Sequence, residues 1–491
     1  WHGDWAKPLC FSVEGRFHDL TINDFGKVSS VSGMSGSVDV TERGGTLSLD
    51  SAEVSMELSE AFDEPLEFDR LFAQIDWKIS SGQDKTLFEF NRIAFANRHM
   101  SGMIHGRYQD ASDQADTIDL SGELATADVN YIKRYMAFLI DQEAAQNWLG
   151  KTIVAGRLDE AKFHIRGDVD KLFSDQRNAL ALKLQTKIID TTVNLPEGWP
   201  GMTDMQAALT FQDNQLEMMV SRAKVAGIVL KNGRLRMANL HAPDSVLYLT
   251  GEAEGATQKI INLLEKSPLY PYAADFSRQG HVDGNGKLQL KLAMPISAKR
   301  DNDRGIELTG RYQFIDNKID LGHGLPALSK INGLLAFTQS SWTIEKMNGQ
   351  MMGGPLTMSS TALPDGSMRI EASGRADFDR LYSSKYEQAT GTLQLWTQFM
   401  QGATDWSAVL DIGEKGIDVM VESTLAGAAS SLPEPFSKSA EETIPLRFVK
   451  KSVDSEHEVL RFRYGEVVTA EIQRVREGNS GYSPVRGVLS F

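Results

Sequence analysis

The feature that most constrains this chain is an apolar/polar alternation with a period of two. Gly284-Asn285-Gly286 opens Lys287-Leu288-Gln289-Leu290-Lys291-Leu292, which puts every leucine on one side of an extended strand and every Lys or Gln on the other. The same period recurs in Thr46-Leu47-Ser48-Leu49, Leu180-Ala181-Leu182-Lys183-Leu184 and Ile306-Glu307-Leu308-Thr309. Strands written this way are wet on one face and must bury the other.

Glycines punctuate the same stretches. The 42 glycines are scattered singly, many with a polar residue on each side and apolar residues beyond, as in Ile104-His105-Gly106-Arg107-Tyr108, Leu120-Ser121-Gly122-Glu123-Leu124 and Leu249-Thr250-Gly251-Glu252-Ala253. Glycine inside a strand marks a bend, a bulge or a close backbone approach, which a curving sheet needs repeatedly. A longer echo relates residues 31–40, 202–211 and 328–337, each followed by a second alternating stretch at Leu47/Leu49, Leu216/Met218 and Trp342/Ile344. One hairpin type is used three times, at offsets too long and unequal for a short-period solenoid.

Helical spacing is rare. Asp128 is a candidate N-cap for an amphipathic helix through Val129, Ile132, Met136, Leu139 and Ile140 towards Gly150. A second helix is expected from about Thr257 through Ile260, Ile261, Leu263 and Leu264 to a stop at Ser267-Pro268, and a short third near 377–382. These helices read as plugs or caps on the sheet. The resulting organisation is sheet over 1–125, an inserted helix over 126–150, sheet over 151–250, a short helical insertion over 251–275, sheet over 276–430, a Pro-rich loop over 431–445 and terminal strands over 446–491.

At 491 residues the chain exceeds one ordinary core, so it forms several domains or something elongated. A net charge of −15 supplies no clustered basic face for phosphate backbones, so nucleic acid is not an expected partner. The single cysteine, Cys10, excludes an intrachain disulfide framework. No stretch reaches the roughly 20 apolar residues that span a bilayer, and the start at Trp1 has neither an initiator Met nor a signal pattern, so the chain reads as a piece of a longer protein.

The nine histidines show no zinc-ligand spacing. His281-Val282-Asp283 and Asp301-Asn302-Asp303-Arg304-Gly305 read as turn chemistry rather than metal sites. Gly33-Met34-Ser35-Gly36 is not a nucleophile elbow, and no phosphate-binding or dinucleotide glycine loop is present. No catalytic residue, metal or cofactor is therefore assigned, and the expectation is a non-enzyme. What remains is a surplus of half-apolar strands, which either pair into a sandwich or curl around an apolar channel that a lipid fills, with the 18 methionines available as an adaptable lining.

Asn147-Trp148-Leu149 followed by residues 155–168, together with Asp283-Gly284-Asn285-Gly286-Lys287-Leu288, Leu325-Pro326-Ala327-Leu328-Ser329, Gly353-Gly354-Pro355-Leu356 and Leu432-Pro433-Glu434-Pro435-Phe436, resembles the YhdP branch of the AsmA-like envelope proteins of Gram-negative bacteria. The resemblance implies a mainly β fold, an elongated, curled antiparallel sheet forming a taco-like hydrophobic groove, built from diverged hairpin modules with a few inserted helices. It further implies a bridge-like lipid-transfer protein of the periplasm, anchored in the inner membrane by an N-terminal helix absent here. Such a protein conducts phospholipids from the inner to the outer membrane and supports the outer-membrane barrier. The implied partners are phospholipid acyl chains, both membranes through segments outside this chain, and envelope proteins. The alternative is an envelope scaffold with a packed core and protein partners.

The groove lining is expected on one face of the recurrent hairpins, at Val38, Val40, Leu47, Leu209, Phe211, Leu216, Leu335, Phe337 and Trp342, with Leu288, Leu290 and Leu292. The competing reading packs the same residues against helices or a second sheet.

Overall fold

The computed structural model describes residues 2–4, 7–25, 28–59, 64–80, 85–111, 115–131, 153–169, 181–194, 200–239, 244–267, 281–295, 306–320, 326–365, 367–383, 397–413, 416–476 and 482–491. They are mainly β, in antiparallel open sheet whose strands follow one another in chain order except that Ala428–Ser430 adds to Met400–Gly413 and Leu446–Ser452 to Gly416–Ser423. The chain divides into two compact units.

The first unit comprises residues 1–226, 230–251 and 293–305. It starts with a small ribbon of β1 (His2–Asp4) and β2 (Lys7–Cys10). Its sheet then runs through β3 (Ser12–Phe25), β4 (Val28–Thr41), β5 (Gly44–Glu57), β6 (Leu66–Ser80), β7 (Lys85–Ala96), β8 (Met100–Ala111), β9 (Thr117–Asp128), β10 (Ile153–Asp168), β11 (Ala181–Val193), β12 (Met202–Gln212) and β13 (Gln215–Val225). Each pairs antiparallel with its predecessor, and among the described residues β3 pairs with β4 alone, so this sheet has a free edge. Most of β14 (Ile228–Met237) and the start of β15 (Val246–Ala256) also belong to this unit.

The second unit comprises residues 227–229, 252–292 and 306–491. After α1 (Thr257–Glu265) come β16 (His281–Pro295), β17 (Glu307–Asp320), β18 (Leu328–Thr338), β19 (Trp342–Met351), β20 (Gly354–Ala362) and β21 (Met368–Asp377). The short helix α2 (Phe378–Ser383) precedes β22 (Met400–Gly413), β23 (Gly416–Ser423), β24 (Ala428–Ser430), β25 (Leu446–Ser452), β26 (His457–Tyr464), β27 (Val468–Arg476) and β28 (Tyr482–Ser490). Among the described residues β28 pairs with β27 alone and forms an edge, so this sheet is open as well.

Both helices lie where helical spacing placed them. Of the expected 128–149 helix only its start is described: β9 runs through Asp128, whose carboxylate accepts the Asn130 amide at 2.8 Å, and residues beyond 131 lie outside the described residues. The Pro-rich segment forms no strand. It folds Phe436 and Ile444 over Tyr464 and Val468, and its buried Lys438 donates to the carbonyls of Ala428 and Ser439 at 2.7 and 2.8 Å. Burial holds that ammonium below the usual lysine range.

The bends have a common device. Asp19, Glu53, Glu160, Asp190 and Asp204 in the first unit, and Asp316 and Lys330 in the second, are exposed and left-handed, with φ between 49° and 56°. All coincide with register shifts against a neighbouring strand. A β-bulge bends its strand sharply, and the residue after it drops into the crease. Val54, Ala161, Thr191, Met205, Asn317 and Ile331 hold those positions and are among the most buried residues of the protein. A non-glycine residue in this conformation costs about 1–2 kcal/mol, which burial of a Val, Ile or Met at about 1.5–3 kcal/mol offsets. Side chains serve the interrupted ladder: the Ser51 hydroxyl accepts from the Ser35 amide and donates to the Ser35 carbonyl, and Asn332 Oδ1 accepts from the Asp316 amide at 3.0 Å.

Candidate functional site

Alternation within strands and pairing between them build one apolar face in each unit. In the first, cross-strand partners trace an unbroken apolar rung from β3 to β13: Phe17, Gly36, Leu49, Ala73, Ile93, Ile104, Gly122, Phe163, Leu184, Phe211 and Leu216. The adjacent rung joins Val38 to Leu47, Ile75 and Phe90. In the second unit a rung runs from Phe314 through Gly333, Met347, Met358, Ala372, Ala408, Val421, Phe448, Phe462 and Ala470 to Leu489.

The structure places the expected lining residues on these faces. Val38 and Leu47 are direct partners, Val40 lies opposite Gly45, Phe211 faces Leu216, Leu209 faces Met218, and Phe337 faces Trp342; all are half-buried. Leu335 is buried between Tyr312 and Ile344. Leu288 and Leu292 are buried and Leu290 is half-buried on the face of β16 that Gly286 shares, where Tyr312 packs. The register connects the β4–β5 and β12–β13 sets within the first unit. The principal packing partners of each strand are its sheet neighbours rather than a second sheet, among the described residues.

Several strand glycines complete this face in a way sequence spacing alone missed. A Cβ on Gly45, Gly122, Gly310 or Gly286 would stand 2.5, 2.4, 2.3 or 2.1 Å from the side chains of Trp77, Phe163, Phe337 or Tyr312. Each glycine is a slot in which a ring from the neighbouring strand lies flat on the backbone. The available signal was an aromatic at the matching rung of the next strand.

The opposite face is polar and laced with exposed cross-strand ion pairs. Asp119 takes His164 at 2.8 Å and Arg107 at 3.2 Å, and Arg369 grips Asp411 with two bonds of 2.7 and 2.8 Å. His164 foremost, with Arg107, holds Asp119 below the usual carboxylate range, and Arg369 does the same for Asp411. Exposed pairs of this kind contribute little each, about 0–1 kcal/mol, but they keep this face in water.

α1 is fixed to the second unit's sheet by a buried polar network. Tyr312 Oη donates to Thr257 Oγ1 at 2.8 Å, Thr257 Oγ1 donates to Asn317 Oδ1 at 2.5 Å, and Asn317 Nδ2 donates to the Asn285 carbonyl at 2.8 Å. Burial pushes the Tyr312 phenol up to about 12 against the lowering effect of the Thr257 bond. Gln258 Oε1 adds an acceptor for the Val282 amide at 3.0 Å.

Among the described residues no three His, Cys, Asp or Glu side chains stand close enough to hold a metal ion, and His281 and Asp283 form an exposed pair at 3.0 Å. A shallow cleft lined by Asp405, Trp406, Glu422, Arg447 and Arg463 draws mainly on polar-face residues and sets Arg447 against Glu422. What the arrangement offers chemically is apolar surface, continuous across each unit.

No helix among the described residues is long and apolar enough to cross a membrane. Comparison with curated proteins and with solved structures gives no match. Comparison with protein families does: the model described as YhdP protein matches residues 1–488, and the chain belongs to the YhdP family.

Proposed function

We propose that this chain is a non-enzymatic segment of a bridge-like lipid-transfer protein, which carries phospholipids across the periplasm from the inner to the outer membrane along its apolar sheet faces. The observation that carries this reading is the unbroken rung of apolar partners through each unit, which, among the described residues, has sheet neighbours rather than a second sheet as its main packing partners. Drawing an acyl chain into water costs about 0.8 kcal/mol per methylene, on the order of 10 kcal/mol for a dozen, and a continuous apolar path removes most of that barrier. Contact of this kind tolerates any acyl sequence of methylenes and needs no motif. Family membership supports the envelope setting, with inner-membrane anchoring supplied by parts of the protein outside this chain.

The test is native mass spectrometry of the purified chain followed by solvent extraction. Stoichiometric phospholipid is the expected result. A lipid-free protein that takes up no added phospholipid would instead favour an envelope scaffold with a closed core.

A further inference from the structure

In the second unit the apolar face is covered at one end of its strands and bare at the other. β23 pairs directly with β25, so residues 424–445 are an excursion that the sheet does not need, whereas residues 453–456 suffice to join β25 to β26 and residues 465–467 to join β26 to β27. The excursion folds back over the apolar face. Its Phe436 and Ile444 pack against the rung Leu446–Tyr464–Val468, with the Phe436 and Tyr464 ring centres 5.5 Å apart. Under it Tyr464 and Val468 are 5% and 1% exposed, while Phe448, Phe462 and Ala470 on the next rung are only half-buried.

This strap is pinned along its length. β24 pairs with the start of β22, Ser430 and Lys438 exchange backbone hydrogen bonds of 2.8 and 3.2 Å, and the Gly427 and Ile444 amides donate to the Ala440 and Thr424 carbonyls at 3.0 and 2.9 Å. The buried Lys438 ammonium ties the two arms together, since its acceptors Ala428 and Ser439 lie on opposite arms. α2 extends the cover: Phe378 shares a buried cluster with Ala428, and the Asp379 carboxylate accepts from the Gly402 amide at 3.1 Å. At the other end of the same strands the rung Ala362–Met368–Ile412–Ile417 carries the apolar face on towards the hairpins. Those turns close on themselves, with the Leu363 amide on the Ser367 carbonyl at 2.8 Å and the Val453 amide on the His457 carbonyl at 2.9 Å. Among the described residues nothing folds back from them over the face.

Resting on the lipid-conduit reading above, we propose that residues 424–445 are a built-in stop: Phe436 and Ile444 hold the place of acyl chains on the covered rung and confine phospholipid in this unit to the rungs between the strap and the hairpins. The physical reason is competition for one apolar surface. An acyl chain that took the covered rung would have to expel both side chains into water and strip the Ala428 and Ser439 carbonyls of the Lys438 ammonium, whereas the half-buried rungs give up only water. The strap thus acts as a wall that sets how much of the face a lipid can use, and Lys438 is the positioning residue that keeps it shut.

The experiment is photo-crosslinking of the whole chain with a phosphatidylglycerol that carries a diazirine at the end of one acyl chain, the labelled residues being located by peptide mass spectrometry. In the native chain label is expected on Phe448 and Phe462 and not on Tyr464 or Val468. Two variants open the strap in different ways: F436S/I444S removes what fills the rung, and K438M keeps the filling but removes the pin. In both, labelling of Tyr464 and Val468 should rise about tenfold or more while Phe448 and Phe462 stay labelled, because local opening becomes more frequent. Phospholipid bound per chain in native mass spectrometry should rise with it. Thermal melts identify a variant that is unfolded, and the native pattern is a test by itself if neither folds. Label on Tyr464 or Val468 in the native chain, or folded variants in which both stay unlabelled, overturns the stop and leaves the conduit reading standing. Absence of label from the whole apolar face, in the native chain and in the variants, overturns the conduit reading with it.

Discussion

Two glycines with the same sequence setting separate what glycine does here. Gly106 and Gly251 each sit between polar residues inside an apolar frame. Gly106 has φ +147°, and a Cβ there would stand 2.2 Å from the Asp119 carbonyl oxygen; at Gly251 the nearest atom is 3.8 Å away and the backbone is ordinary. Gly106→Ala should therefore lower stability by about 2–3 kcal/mol in urea titration, because backbone on the adjacent strand cannot move aside. Gly251→Ala should be neutral or slightly stabilising through reduced unfolded-state entropy, by about 0.4–1 kcal/mol. Tyr312 makes a second residue-scale prediction. Its folded pKa of about 12 lies above the unfolded value near 10, so the folded state prefers the protonated phenol. That preference is fully present below pH 10 and is lost as the pH rises from 10 through 12. The stability difference between the native chain and Tyr312→Phe, followed by melting from pH 8 to 12, should shrink over that window. A constant difference would mean that the phenol titrates normally.

At the level of elements, adjacent strands were legible because their pairing is local. The alternating stretches predicted partners two turns of sequence away, and Val38 with Leu47, Phe211 with Leu216 and Phe337 with Trp342 are those partners in the sheet. α1 was legible from its apolar spacing, but its attachment was not, since Thr257, Asn317 and Tyr312 meet only when β17 lies beside the helix. Thr257→Val keeps the shape and leaves Tyr312 Oη and Asn317 Oδ1 unsatisfied, at a cost of about 2–3 kcal/mol. Because the loss is local, hydrogen exchange of the α1 amides should accelerate about tenfold or more while strand amides far from it keep their protection. Uniform acceleration throughout the unit would show that the helix and sheet open as one.

For the whole molecule, the conduit reading makes continuity the vulnerable property. Leu290→Asp and Phe337→Asp each place a carboxylate on a half-buried position of the apolar face. Both should cut lipid transfer between donor and acceptor vesicles at least tenfold, with the far-ultraviolet circular dichroism of the strands retained. Undiminished transfer by the folded double variant would count against an apolar path through these residues. The sequence by itself determined the strand class, the face on which each side chain sits and the nearest-neighbour hairpins, because a period of two acts through the local backbone and needs no distant partner. The tertiary structure alone decided the rest. Which Asp, Glu or Lys adopts the left-handed conformation at a bulge depends on where the sheet must crease, and which glycine receives a ring depends on register across strands far apart in sequence. The charged residues Lys450, Glu458 and Arg474 are of the same kind: each residue alone reads as a solvated strand position, and only lateral pairing of β25, β26 and β27 turns three separate charges inward together.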